Sequence, residues 1–191
     1  MKAIDFVKSI NLLKINFDPS IFLKENTLHN LKVEFPNLSD NEISDEFIKR
    51  EYLIGCNITN KNNNNNSNSF GNEIEILISE YNLFSIDRIL CGISFLDEIL
   101  VINEELYVFG TLDSYLCYNE AGKVLWIDYD TNEILSNISN APESFLDCMY
   151  ELANNNIKRT LTNIELLNNL VNLSGENESN IFYKYLLGID E

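Results

Sequence analysis

Asp128-Tyr129-Asp130-Thr131-Asn132 places oxygen donors at alternate positions, the spacing that opens a calcium-binding EF-hand loop. Such a loop needs glycine where Glu133 stands and a bidentate acid where Ser139 stands, and strand-like runs flank the segment where helices should be. Asp and Asn side chains bond readily to nearby backbone, so the segment reads as a hairpin turn and no metal is expected. The acidic pairs Asp97-Glu98 and Glu104-Glu105 have the groups for acid and base roles. In a chain with 30 Asp and Glu, adjacent acids arise by chance, and catalysis needs a spacing in three dimensions that adjacency does not set.

Other chemistry is harder to assemble. His29, the single histidine, lies in a helix-like run beside Asn30 with no ligand cluster near it, and reads as a surface polar residue. Cys56, Cys91, Cys117 and Cys148 form no CxxC pair, so they make no recognisable zinc site. Each sits among apolar neighbours and reads as a small buried thiol. The seven glycines are scattered, without GxxxxGK[ST] or GxGxxG, so no phosphate-cradling loop and no cofactor is expected.

The elements that position these residues centre on Glu105 to Leu152. Leu106, Val108 and Leu112, then Tyr115 to Tyr118, then Val124, Trp126 and Tyr129 recur with short periods. Asn119-Glu120-Ala121-Gly122 and Asp130-Thr131-Asn132-Glu133 fall between them, so the stretch reads as an antiparallel meander. Gaps of about four residues are too short for a parallel crossover. Asn140-Ala141-Pro142-Glu143 offers a capping side chain, a first-turn proline and an early acid. Phe145, Leu146, Met149, Tyr150 and Leu152 then line one helix face that can cover the sheet, a run ended by Asn154-Asn155-Asn156.

Toward the ends, Lys2 to Lys14 reads as an amphipathic helix, Asp18-Pro19-Ser20 starts a second through Leu31, and Ser39-x-x-Glu42 is a capping box for a third from Asp40 to Arg50. Tyr52 to Cys56 reads as a strand, and 61–71, with five consecutive asparagines, as a mobile surface loop. Glu73 to Ile78 alternates and then turns apolar, which predicts another strand. Ile86, Ile89, Leu90, Ile93 and Leu96 fit one helix face or a helix followed by a short strand, and Ile99 to Ile102 reads as strand. A second capping box, Thr162-x-x-Glu165, opens a helical extension over 160–188, with Gly175 and Gly188 as stops. The expected fold is α+β: an antiparallel β-sheet meander with helices packed on one side and at both chain ends.

Length and composition bound the rest. The 191 residues suffice for one domain, and 45% hydrophobic and 11% aromatic residues argue against global disorder. Thirteen Lys and Arg against 30 Asp and Glu give a net charge of −17. That field disfavours nucleic acid and anionic membrane and steers in basic protein partners, although acidity also serves solubility. No run approaches a membrane span, and the first residues lack the apolar core and cleavage site of a signal peptide, so a cytoplasmic location is expected.

Several segments together resemble the SUKH superfamily, whose founding members regulate fungal cell-wall synthesis. They are the proline-containing turn and helix from Phe35-Pro36 through Ile48, the step Phe109-Gly110, the hairpin strand opening Gly122-Lys123-Val124, and Ser144-Phe145-Leu146 in the closing helix. The resemblance runs from Phe35 to Leu152 and is strongest over 105–152. It implies an α+β domain of antiparallel strands and flanking helices that acts by binding proteins, as bacterial immunity proteins and eukaryotic regulators of this superfamily do.

The leading expectation is therefore a non-enzymatic protein-binding module that meets a basic partner through acids at the meander's turns, namely Glu104, Glu105, Asp113, Asp128 and Asp130. Two alternatives stay open: a small hydrolase using paired carboxylates, and a subunit that associates through the helices between Thr162 and Leu187.

Overall fold

The structure, a computed structural model, describes residues 1–15, 25–43, 58–61, 71–83, 86–103 and 105–189. The expected strand at 52–56, most of the asparagine-rich stretch, residues 44–50 of the third helix, the 18–20 helix start, Cys56 and Glu104 lie outside the described residues.

In chain order the elements are α1 (Ala3–Ile15), α2 (Glu25–Glu34), β1 (Thr59–Asn60), α3 (Glu73–Glu80), β2 (Tyr81–Asn82) and a 3-10 turn (Ile86–Ile89). The strands β3 (Ser94–Ile102), β4 (Leu106–Thr111), β5 (Tyr115–Asn119), β6 (Val124–Ile127) and β7 (Ile134–Ser139) come next. The helices α4 (Pro142–Lys158), α5 (Asn163–Ser174) and α6 (Ser179–Leu187) close the fold. Strands β3 to β7 pair antiparallel with their sequence neighbours, so the meander is an α+β sheet in simple up-and-down order. The short β1–β2 pair stands apart from it.

Alternation sorts the meander's side chains onto two faces. Phe109, Leu116, Tyr118, Val124, Trp126 and Ile138 point into the main core, where Phe6, Ile10, Phe145, Met149, Leu170 and Phe182 from the helices meet them. Val108, Cys117, Leu125 and Ile127 point the other way and form a second buried cluster. Burial there pushes the Cys117 thiol up to about 12, so it behaves as a small apolar side chain. Leu166, Leu170, Phe182 and Tyr183 place α5 and α6 in the main core rather than beside it.

Gly110 is required where β4 bulges. A Cβ there would stand 2.6 Å from the Ser94 carbonyl oxygen on the neighbouring strand, closer than real contacts allow.

Three local expectations are corrected. Glu73 to Ile78 is helical, not extended: Asn72 Oδ1 accepts from the Ile74 and Glu75 amides at 3.0 and 3.1 Å, and Ile74, Leu77 and Ile78 share one buried face. This helix docks on the sheet through the Tyr118 hydroxyl, which donates to Glu75 at 2.5 Å while its ring stacks on Tyr107. Helix α4 runs through Asn154-Asn155-Asn156 to Lys158, because Ala153 and Ile157 continue the buried stripe. Its N-cap is Ala141, without a side-chain bond, and the Asn140 amide instead reaches the Gly175 carbonyl. The 86–96 stretch divides into the 3-10 turn and β3. Both capping boxes form: Ser39 and Glu42 exchange bonds at 2.9 and 3.4 Å, and Thr162 and Glu165 at 2.9 and 3.3 Å. Cys91 is half-buried, whereas Cys117 and Cys148 are fully enclosed.

Candidate functional site

In an up-and-down meander, successive turns fall at alternate ends, and the register shows which acids that brings together. Thr111 pairs with Tyr115, Tyr115 with Ile127, and Ile127 with Ile134, so the β4–β5 and β6–β7 turns leave the same end. Leu106 pairs with Ile102 and Asn119, which puts the β3–β4 and β5–β6 turns at the other. Asp113, Asp128 and Asp130 are therefore neighbours on one end, while Glu105 stands with Glu120 on the opposite end. The six residues of β4 separate the two ends by about 17 Å.

The Asp113 end has more than charge. Tyr129 and Ile134 are 43% and 59% exposed, and the Tyr129 ring meets Tyr115 edge-on at 4.4 Å. Tyr185 reaches the same end from α6. Its ring lies 4.9 Å from Trp126 and its hydroxyl donates to Asp113 Oδ2 at 2.6 Å. That bond to a carboxylate pushes the Tyr185 hydroxyl up from its ordinary range. Trp126 fixes the turn from beneath, donating its indole N–H to the Leu112 carbonyl at 3.0 Å. Asp113 and Asn132, both in the left-handed region at φ 51° and 57°, are residue types that tolerate it.

The acids on this end differ in role. Asp128 Oδ1 accepts from the Thr131 amide at 2.9 Å, the Asp130 amide at 3.0 Å and the Thr131 hydroxyl at 3.1 Å. These bonds, the Thr131 amide foremost, hold its carboxyl below the ordinary range, so Asp128 organises the turn. Asp130 and Glu133 are exposed on that turn, and neither 112–114 nor 128–135 contains Lys or Arg. Sequence reasoning missed Tyr185 and Glu133. Only the packing of α6 on β7, where Ser136 Oγ donates to the Glu178 carbonyl at 2.9 Å, brings Tyr185 to this place.

Of the acidic pairs weighed for catalysis, Asp97 and Glu98 are both exposed on β3. Asp97 lines a groove of about 480 Å³ with Ile86, Asp87, Arg88 and Phe95. His29 is exposed on α2. No helix among the described residues is long and apolar enough to cross a membrane.

No family model, curated protein or solved structure matches this chain. The chemistry of the surface is the guide to its use.

Proposed function

We propose that this chain is a non-enzymatic protein-binding module of the kind that the SUKH resemblance implies, and that it meets a basic protein partner at the Asp113 end of the meander. The observation that carries the reading is the joint exposure of Tyr129, Ile134 and Tyr185 among Asp113, Asp128, Asp130 and Glu133. Interface centres favour aromatic side chains, and carboxylates around them steer lysine and arginine inward. Tyrosine faces also accept guanidinium and ammonium groups directly. A net charge of −17 extends this attraction beyond the contact itself.

The test is capture from native lysate on the immobilised chain at low and moderate salt, followed by dissociation constants for the proteins retained. A basic protein released by salt is expected, with D130K/E133K abolishing retention and E105K/E120K retaining it. Equal retention by the wild type and D130K/E133K would remove this end from consideration.

A hydrolase is the second reading, favoured by the groove that holds Asp87 and Asp97. Ester or glycoside turnover that disappears in D87N/D97N would support it, and absence of turnover across a substrate panel would exclude it.

A further inference from the structure

Among the described residues, two tyrosine hydroxyls donate to a carboxylate, Tyr118 to Glu75 and Tyr185 to Asp113. The first pair is enclosed, with Tyr118 only 3% exposed and its ring stacked on Tyr107. The second stands open, with Tyr185 48% exposed and Asp113 exposed on its turn. We propose that the Tyr185–Asp113 pair is an arginine receptor, which makes the Asp113 end selective for partners that present arginine rather than lysine. The inference deepens the proposed function and rests on it, since it says which basic side chain that end takes.

The pair is assembled before any partner arrives. Leu112 and Ser114 are buried on either side of Asp113, so Asp113 alone projects from the turn. The Leu112 amide donates to the Ser114 carbonyl at 2.9 Å, and the Leu112 carbonyl accepts from the Trp126 indole at 3.0 Å. On the helix side, buried Phe182 seats α6 against Trp126, edge-on at 5.6 Å. Trp126 also covers the inner side of the Tyr185 ring at 4.9 Å, so the exposure of that ring lies on its outer side. The 2.6 Å bond then holds the carboxylate beside the ring. Tyr185 is the one partner of Asp113 among the described residues, which leaves Oδ1 for a ligand.

A guanidinium suits both halves of this receptor. Its flat face stacks on an aromatic ring while its N–H edge reaches a carboxylate oxygen. An ammonium brings the same charge as a compact, strongly hydrated point and gains less from the ring. Donation to Asp113 also shifts negative density onto the phenol, which strengthens the pull of the ring face on a cation. Lys184, the one cation of α6, is half-buried and stands about 100° around the helix from Tyr185, so the ring is left to a cation from outside.

Titrating the isotope-labelled full chain with a short unstructured peptide that alternates arginine and glycine, and with its lysine counterpart, at fixed ionic strength tests this. The arginine peptide should shift the Asp113 and Ser114 amides, the Trp126 indole N–H and the Tyr185 ring saturably. Its midpoint should lie about fivefold below that of the lysine peptide, the scale of one exposed cation–π contact. Y185L should abolish that preference. D113N, which leaves the ring and the packing of α6 in place, should weaken both peptides and narrow the difference between them. E105Q/E120Q, at the opposite end of the meander, is the control for net charge and should leave the preference unchanged. Equal midpoints for the two peptides in the wild type, or a preference of full wild-type size in Y185L or D113N, would overturn the receptor. Equal midpoints with the shifts still at the Asp113 end leave the basic-partner reading in place, whereas that reading fails on equal capture by the wild type and D130K/E133K.

Discussion

Tyr185, on the last helix, donates its hydroxyl to Asp113, in the turn between β4 and β5, at 2.6 Å, so the end of the chain buttresses a turn 72 residues away. Ionising this phenol would destroy the bond and place a second negative charge beside Asp113, which is why its proton is held more tightly than usual. A folded-state pKa above the unfolded value means that the contribution is fully present below the unfolded pKa and is lost as pH rises through the folded one. Asp113→Asn should therefore bring Tyr185 back toward ordinary phenol titration, and Tyr185→Phe should remove the alkaline component. Side-chain NMR of Tyr185 across the alkaline range reads both, and a titration identical in wild type and Asp113→Asn would refute the coupling.

Asp128 behaves with the opposite sign. Its carboxyl is held low by amide and hydroxyl donors, so the contribution is present above the ordinary aspartate range and is lost as pH falls through the depressed folded value. On acidification the Asp130 and Thr131 amides should lose protection, measured against the intrinsic exchange rate at each pH, once that carboxyl protonates, while the sheet amides stay protected. In Asp128→Ala these amides should be unprotected at every pH, exchanging at their intrinsic rates. Protected turn amides in that variant would show that the turn holds without the carboxylate.

Much of this turn chemistry is legible in the sequence, because Asp, Asn and Gly act on their own local backbone. The meander, both capping boxes and the Gly175 and Gly188 stops arise from such local signals. Glu73 to Ile78 misleads because four alternating residues fit period 2 while Ile74, Leu77 and Ile78 equally fit a helix. Asn72 with acids in the following turn is the signal that separates the two. For the candidate surface, the acids are visible in sequence, yet their division between two ends depends on strand order. The bond from Asn156 to the Ile89 carbonyl is not legible, since tertiary packing alone joins the two segments.

Gly110 offers a direct test of the close approach between β3 and β4. Gly110→Ala forces a Cβ against the Ser94 carbonyl oxygen, a backbone atom that cannot swing away. The expected destabilisation is about 2–3 kcal/mol, the upper part of the usual range for overpacking. Urea unfolding measures it, and a loss below about 0.5 kcal/mol, the scale of an ordinary surface change, would mean that the strands separate freely there.

Trp126 links the core to the Asp113 end. Trp126→Phe keeps an aromatic ring beneath Phe182 but leaves the Leu112 carbonyl without its buried partner. An unsatisfied buried acceptor costs roughly 1–3 kcal/mol, and the 112–114 turn should loosen with it. Denaturation gives the first quantity and amide exchange at Asp113 and Ser114 the second. Full stability with an unchanged turn would show that the indole bond contributes nothing.

The C-terminal helices decide between a domain that ends near α4 and one that needs α5 and α6 to fold. Truncation after Asn156 removes Leu166, Leu170, Phe182 and Tyr183, all at most 1% exposed, together with the partners of Trp126 and Cys148. Each such side chain is worth about 1.5–3 kcal/mol on burial, so four of them match or exceed much of a typical domain's total stability of about 5–15 kcal/mol. The truncated chain should therefore lose cooperative unfolding altogether, as read by near-UV circular dichroism and thermal denaturation. A truncated chain that melts cooperatively yet no longer associates would instead make α5 and α6 an assembly surface, as the third sequence-based expectation holds.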